Sequence, residues 1–198
     1  MSKQQQQAQK NSFAVNLIEY MEMFVFAVVF VIILMTFGLR LCKVDGPSMN
    51  KTLTHGEKLI ISDLFYTPKT GDIIVFHMSG SDIEHYNKPL VKRVIATEGQ
   101  RVKIDYQNNL VYVSDDSVFT EDEVLDESAY AYFDKGTWDD ALLTDEPDIF
   151  VVPENRLFVM GDNRNNSADS RNLHIGMIDE SAVLGRALFR LSPFTAFK

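Results

Sequence analysis

Seventeen consecutive residues, Met23 to Leu39, carry no charge, and almost all are Phe, Val, Ile, Leu or Met. A membrane-spanning helix wants roughly 20 apolar residues, so this run sits near the minimum. Tyr20 and Met21 before it, and Leu41 and Cys42 after Arg40, lengthen it if the arginine head snorkels to water. A buried core helix of this size would not be apolar on every face. A cleaved secretory signal would be followed by an A-x-A-like site, and none follows. The run therefore reads as a retained anchor over 21–42, with a tail over 1–20 and a folded domain over 43–198. Lys3, Lys10 and the amino terminus lie on one side, Arg40 and Lys43 on the other, and the positive-inside count leaves the orientation open.

A chain of 198 residues holds one or two domains. With 45% hydrophobic and 24% charged residues it is neither disordered nor collagen-like. A formal net charge of −9 argues against a nucleic-acid binder. The single cysteine, Cys42, excludes an intrachain disulfide and a cysteine-ligated zinc site. His55, His77, His85 and His174 have no metal-ligand spacing, so no metal and no other cofactor is expected.

The charge is unevenly placed. Asp115 to Asp148 holds 13 acidic residues against one basic residue, Lys135, which is a local charge of −12 and leaves +3 for the rest. Tyr130, Tyr132, Phe133 and Trp138 lie in the same stretch, so it is not a plain acidic tail. No calcium-loop pattern occurs in it. It reads as a solvated, non-catalytic insertion over 107–150, whose shortening spares the chemistry.

Short runs rich in Val, Ile and Tyr fill most of the remainder: Lys58–Asp63, Asp72–Met78, Leu90–Ala96, Arg101–Tyr106, Asn109–Ser114, Arg156–Met160 and Ala182–Arg190. Gly56, Gly71, Gly99 and Asn108-Asn109 separate them. Strands at this spacing, without helical patterns between them, predict a mostly β fold. We expect an antiparallel β-sheet or barrel-like domain with one N-terminal transmembrane helix and an acidic inserted subdomain.

Three segments are too specific for scaffold. In Val44-Asp45-Gly46-Pro47-Ser48-Met49-Asn50-Lys51-Thr52-Leu53 the Gly-Pro pair forces a turn that presents Ser48. In Leu90–Ala96, strand alternation places Lys92 on the face of Leu90 and Val94, where desolvation would lower its pKa. A lysine so lowered can act as base toward a serine, although an outward lysine on a half-solvated sheet fits the same pattern. Gly161 to Arg171 has eleven residues and no apolar side chain larger than Ala168, so hydrogen bonds must hold it. Asp169 with Arg171 or Arg164 offers bidentate ion pairs there.

Taken together, these segments resemble the type I signal peptidases, membrane-anchored Ser-Lys proteases of bacterial export. The order is anchor, S-M-x-x-T-L box, G-D-I-x-x-F box (Gly71 to Phe76), K-R-V box, then G-D-N-R-x-N-S-x-D-S-R from Gly161 to Arg171. The resemblance implies Ser48 as nucleophile and Lys92 as general base. It places Ser167 where a hydroxyl hydrogen-bonds the lysine, Asp169 and Arg171 where a salt bridge supports the site, and Asp162 in the same supporting loop. It implies shallow apolar pockets for small substrate side chains at −3 and −1, lined by Val44, Met49, Leu53 and Val91. Two positions depart from the pattern: Lys51 replaces the usual proline, and Gly46 stands where some members carry a serine oxyanion donor.

The implied partners are the signal peptides of pre-proteins, bound as a strand on a sheet edge, with membrane lipid and the secretion machinery beside them and no nucleic acid. The implied location is the cell membrane, single-pass, with a cytoplasmic N-terminus and an extracytoplasmic catalytic domain. Ser48 lies only about six residues beyond Cys42, close to where a signal peptide leaves the bilayer. Three alternatives carry different consequences: a self-cleaving Ser-Lys protein of the SOS repressor kind, a membrane-tethered binding module, and a single-span anchor docking a partner through its acidic segment. Cleavage of a pre-protein that is lost on Ser48→Ala separates the protease from the last two.

Overall fold

A computed structural model describes residues 3–33, 38–78, 88–133, 148–172 and 174–197. His85, Lys135 and Trp138, with most of the second half of the acidic segment, lie outside the described residues. The chain divides into two compact units, Met1–Arg40 and Leu41–Lys198.

The first unit is a helix, α1 (Lys3–Ile33). It runs back through the expected tail because no Gly or Pro interrupts it and Gln, Ala, Lys, Glu and Met favour the helix. Its apolar stretch, Val15–Ile33, is exposed throughout its 19 residues. At 1.5 Å per residue that stretch is about 28 Å long, close to the hydrocarbon core of a bilayer. The far end differs from expectation. Arg40–Lys43 forms a strand, β1, rather than a last helical turn, and Gly38 stands between the two elements.

The second unit is mostly β. Beside β1, a curled antiparallel sheet contains β2 (Lys58–Ser62), β3 (Ile73–Phe76), β4 (Leu90–Ala96), β8 (Arg156–Met160), β9 (Ile178–Asp179), β10 (Val183–Leu191) and β11 (Phe194–Ala196). Its order is β1-β2-β10-β3-β4-β8-β9, with β11 paired to β10. A separate sheet sets β5 (Arg101–Asp105) between β6 (Leu110–Ser114) and β7 (Asp148–Val151). Burial alternates along β5, as a half-covered sheet requires, whereas β3 is buried at every position.

One register positions the site. β3 pairs β4 from Ile73↔Arg93 to Phe76↔Leu90, but β8 pairs β4 only from Arg93↔Met160 onward. The chain leaves β8 at Met160 and enters the 161–172 loop, so Leu90, Val91 and Lys92 have β3 on one side and no β8 partner on the other. Beneath them lies a core of Val44, Met49, Leu53, Leu59, Ile61, Ile73, Val75, Val91 and Ala187. A second core, including Ile95, Val102, Ile104, Val152 and Phe158, joins the two sheets.

Candidate active site

The turn carrying Ser48 is held from below and from the side. Met49 and Leu53 are fully buried, and the Leu53 N–H bonds the Met49 carbonyl at 2.8 Å. Gly46 has φ +92°, a conformation that L side chains rarely adopt, and its N–H donates to His55 Nδ1 at 3.2 Å. A serine at position 46 would be strained in this backbone conformation. Asn163 donates its backbone N–H to the Ser48 carbonyl at 3.0 Å and its side-chain amide to the Pro47 carbonyl at 3.1 Å.

Lys92 is 3% exposed, which excludes the outward lysine on a half-solvated sheet. Its Nζ lies 2.8 Å from Ser48 Oγ and donates to the Val91 carbonyl at 3.0 Å. Burial lowers its pKa to about 8, against an upward pull from the negative charges of Asp169 and Asp162, while Arg171 adds to the lowering. A neutral amine at this position can accept the Ser48 proton.

The polar loop is a frame of charge-assisted bonds. Asp162 is fully buried and accepts from Arg93 Nε at 2.8 Å, Arg93 Nη2 at 2.7 Å and the Thr52 hydroxyl at 2.5 Å. Arg93 also donates to the Gly71 carbonyl at 2.7 Å. Asp169 takes Arg171 Nε and Nη2 at 2.7 and 2.8 Å and the Gly161 N–H at 2.9 Å. Of the two arginines open to Asp169 on sequence, it pairs with Arg171. Arg164 instead makes a two-point ion pair with Glu127. Gly161 has no room for a side chain, since a Cβ would overlap Ser167 Oγ and the Ser48 carbonyl.

Three expectations change. Ser167 Oγ is buried but makes no hydrogen bond to Lys92, whose amine meets Ser48 Oγ and the Val91 carbonyl instead. Val44, Met49, Leu53 and Val91 pack into the core, because each turns inward toward Leu59, Ile61 and Ala187. The open cleft, about 390 Å³, is lined instead by residues including Asp45, Pro47, Ser48, Lys88, Leu90 and Lys92. Finally, the acidic segment is not wholly solvated. The Tyr132 N–H bonds the Asp162 carbonyl at 2.8 Å, and the Tyr130 ring lies 3.9 Å from the Arg93 guanidinium. Lys51 sits over the Tyr132 ring at 4.5 Å.

Glu127, Tyr130, Asn163, Arg164 and Gly161 therefore also adjoin the site; the sequence offered Arg164 only as an alternative partner for Asp169 and gave the other four no role. The polar loop as a whole signalled three of them. Nothing in the acidic run distinguished Glu127 from its neighbours.

A family model described as "Signal peptidase, peptidase S26" matches residues 17–192. The chain is 34% identical over 160 residues to "Probable signal peptidase I-1" of Synechocystis sp., covering 76% of this chain and 69% of that protein. It is 32% identical over 163 residues to "Signal peptidase IB" of Staphylococcus aureus, covering 78% of each. A crystal structure of a signal peptidase I from Enterococcus faecalis aligns with TM-score 0.40 and 24% identity, over 61% of this chain and 97% of that one.

Proposed function

The chain belongs to the signal peptidase family, peptidase S26, whose members are serine endopeptidases, and on that premise we propose that it cuts signal peptides from pre-proteins with Ser48 and Lys92. One observation carries this assignment: a buried lysine amine, with its pKa lowered to about 8, stands 2.8 Å from a serine hydroxyl in a cleft.

Neutral Lys92 takes the Ser48 proton as Oγ attacks the scissile carbonyl, and the resulting ammonium returns a proton to the leaving amine. The oxygen that becomes negative meets the Ser48 N–H, which has no protein acceptor among the described residues. Asn163 fixes that peptide by binding its neighbouring carbonyls. A water then attacks the acyl-enzyme, with Lys92 again as base. Asp162 and Asp169, gripped by Arg93 and Arg171, hold the loop rather than touch substrate. The substrate lies as an extended strand along Leu90–Lys92, where β4 has no β8 partner.

In the cell we place α1 in the membrane with its N-terminus cytoplasmic and the 43–198 domain outside, beside lipid and the export machinery. The test is cleavage of a pre-protein by full-length protein, with sequencing of the new N-terminus. We expect one cut after the signal peptide and loss of cleavage in Ser48→Ala. Cleavage that survives Ser48→Ala overturns the assignment.

A further inference from the structure

We propose that the acidic segment supplies a positioning residue to the catalytic loop: Glu127, acting through Arg164, sets where the Ser48 peptide is held. This rests on the Ser48–Lys92 assignment above. Arg164 is among the largest fully buried side chains, and a buried guanidinium needs an anion beside it. The loop's own carboxylates are occupied, Asp162 by Arg93 and Asp169 by Arg171. Glu127 comes from 37 residues away and grips Nη1 and Nη2 with both its oxygens.

Once the fork is fixed, the rest of Arg164 ties to groups that touch the site. Its Nε donates to the Gly161 carbonyl at 3.2 Å, and its own carbonyl accepts Arg171 Nη2 at 2.9 Å. Gly161 abuts the Ser48 carbonyl, Arg171 holds Asp169, and Asn163, next to Arg164, donates to Ser48. Tyr130 adds a stack, its ring 3.9 Å from the Arg93 guanidinium and 5.9 Å from that of Arg164. Two backbone bonds join Tyr132 to Asp162 and Arg164. A segment serving only solubility would keep its carboxylate in water.

The experiment uses the full chain with Glu127→Gln, and with Glu121→Gln/Asp122→Asn as a control that removes two exposed charges from the same segment. The readouts are kcat and KM on a pre-protein, and hydrogen exchange at the Asn163 amide. We expect Glu127→Gln to lower kcat at least tenfold with KM within twofold, and to speed Asn163 exchange at least tenfold, while the control matches wild type. Should Glu127→Gln fail to fold, Glu127→Gln/Arg164→Gln removes both charges together and is expected to fold with the same loss of kcat. A folded variant with wild-type kcat and wild-type Asn163 exchange overturns the proposal, as does an equal loss in the control. If wild-type protein leaves pre-proteins uncut, the Ser48–Lys92 assignment fails, and the exchange measurement still decides the role of Glu127.

Discussion

Burying the Lys92 amine sets a conflict between stability and reactivity at one residue. Its pKa is about 8 in the folded chain against 10.5 ordinarily. Below pH 8 the amine is protonated both folded and unfolded, and folding bears the whole cost of burying the charge. Between pH 8 and 10.5 the folded state has lost the proton that the unfolded state retains, so stability rises with pH by roughly 3 kcal/mol. Lys92→Met removes that rise: urea melts at pH 7 and pH 10 should show the variant more stable at pH 7, with its gain over wild type gone at pH 10. The same shift makes cleavage climb with pH through about 8, and Lys92→Arg is expected to be inactive because guanidinium keeps its proton. Substantial cleavage by Lys92→Arg would remove Lys92 from the role of base. At Gly161 the limit is space. Gly161→Ala should cut kcat at least a hundredfold and lower the urea midpoint, since its methyl would overlap the backbone carbonyl of Ser48.

At the scale of elements, the loop after β8 stands on buried ion pairs. Removing Asp162 leaves the Arg93 side chain, 11% exposed, without its anion. Asp162→Ala is therefore expected to cost about 3–5 kcal/mol in a urea melt, with Asp162→Asn costing less because the amide still meets Thr52 and Arg93. Much of this layout was legible in the residues. The Val- and Ile-rich runs mark β2, β3, β4, β5, β6, β8 and β10 to within two residues at each end, because short β-branched apolar runs are a local signal whether the strand is half-covered or buried on both faces. β1 was hidden because Arg-Leu-Cys-Lys continues the apolar run into a charge, and β7 because Asp-Ile-Phe-Val lies at the end of an acidic stretch. The Ser48–Lys92 juxtaposition was legible from motif order. Glu127 was not, since one carboxylate among thirteen acquires its partner only through tertiary packing. The inward turn of Met49 and Leu53 was equally invisible to spacing, because it depends on what lies under the turn.

Across the whole molecule the two units have opposite solvent preferences. Val15–Ile33 is exposed and mostly apolar, with Glu19 and Glu22 its only charges, whereas the Leu41–Lys198 unit closes its own cores. Protease added outside cells stripped of their wall is expected to digest the 44–198 region and to spare residues 1–15; protection of the large domain would invert the proposed orientation. The site itself is drawn from distant parts of the chain. Ser48 and Lys92 are 44 residues apart, and Asn163 reaches back 116 residues to Pro47. A ribosome makes a chain from its N-terminus, so Ser48 and Lys92 emerge long before the loop that frames them. Throughout that interval the Pro47 and Ser48 carbonyls lack their Asn163 donors and Asp169 is not yet present beside Lys92. The newborn chain thus holds Ser48 and Lys92 while the loop that frames them is still unmade, and the apolar helix at its start is the first element to emerge.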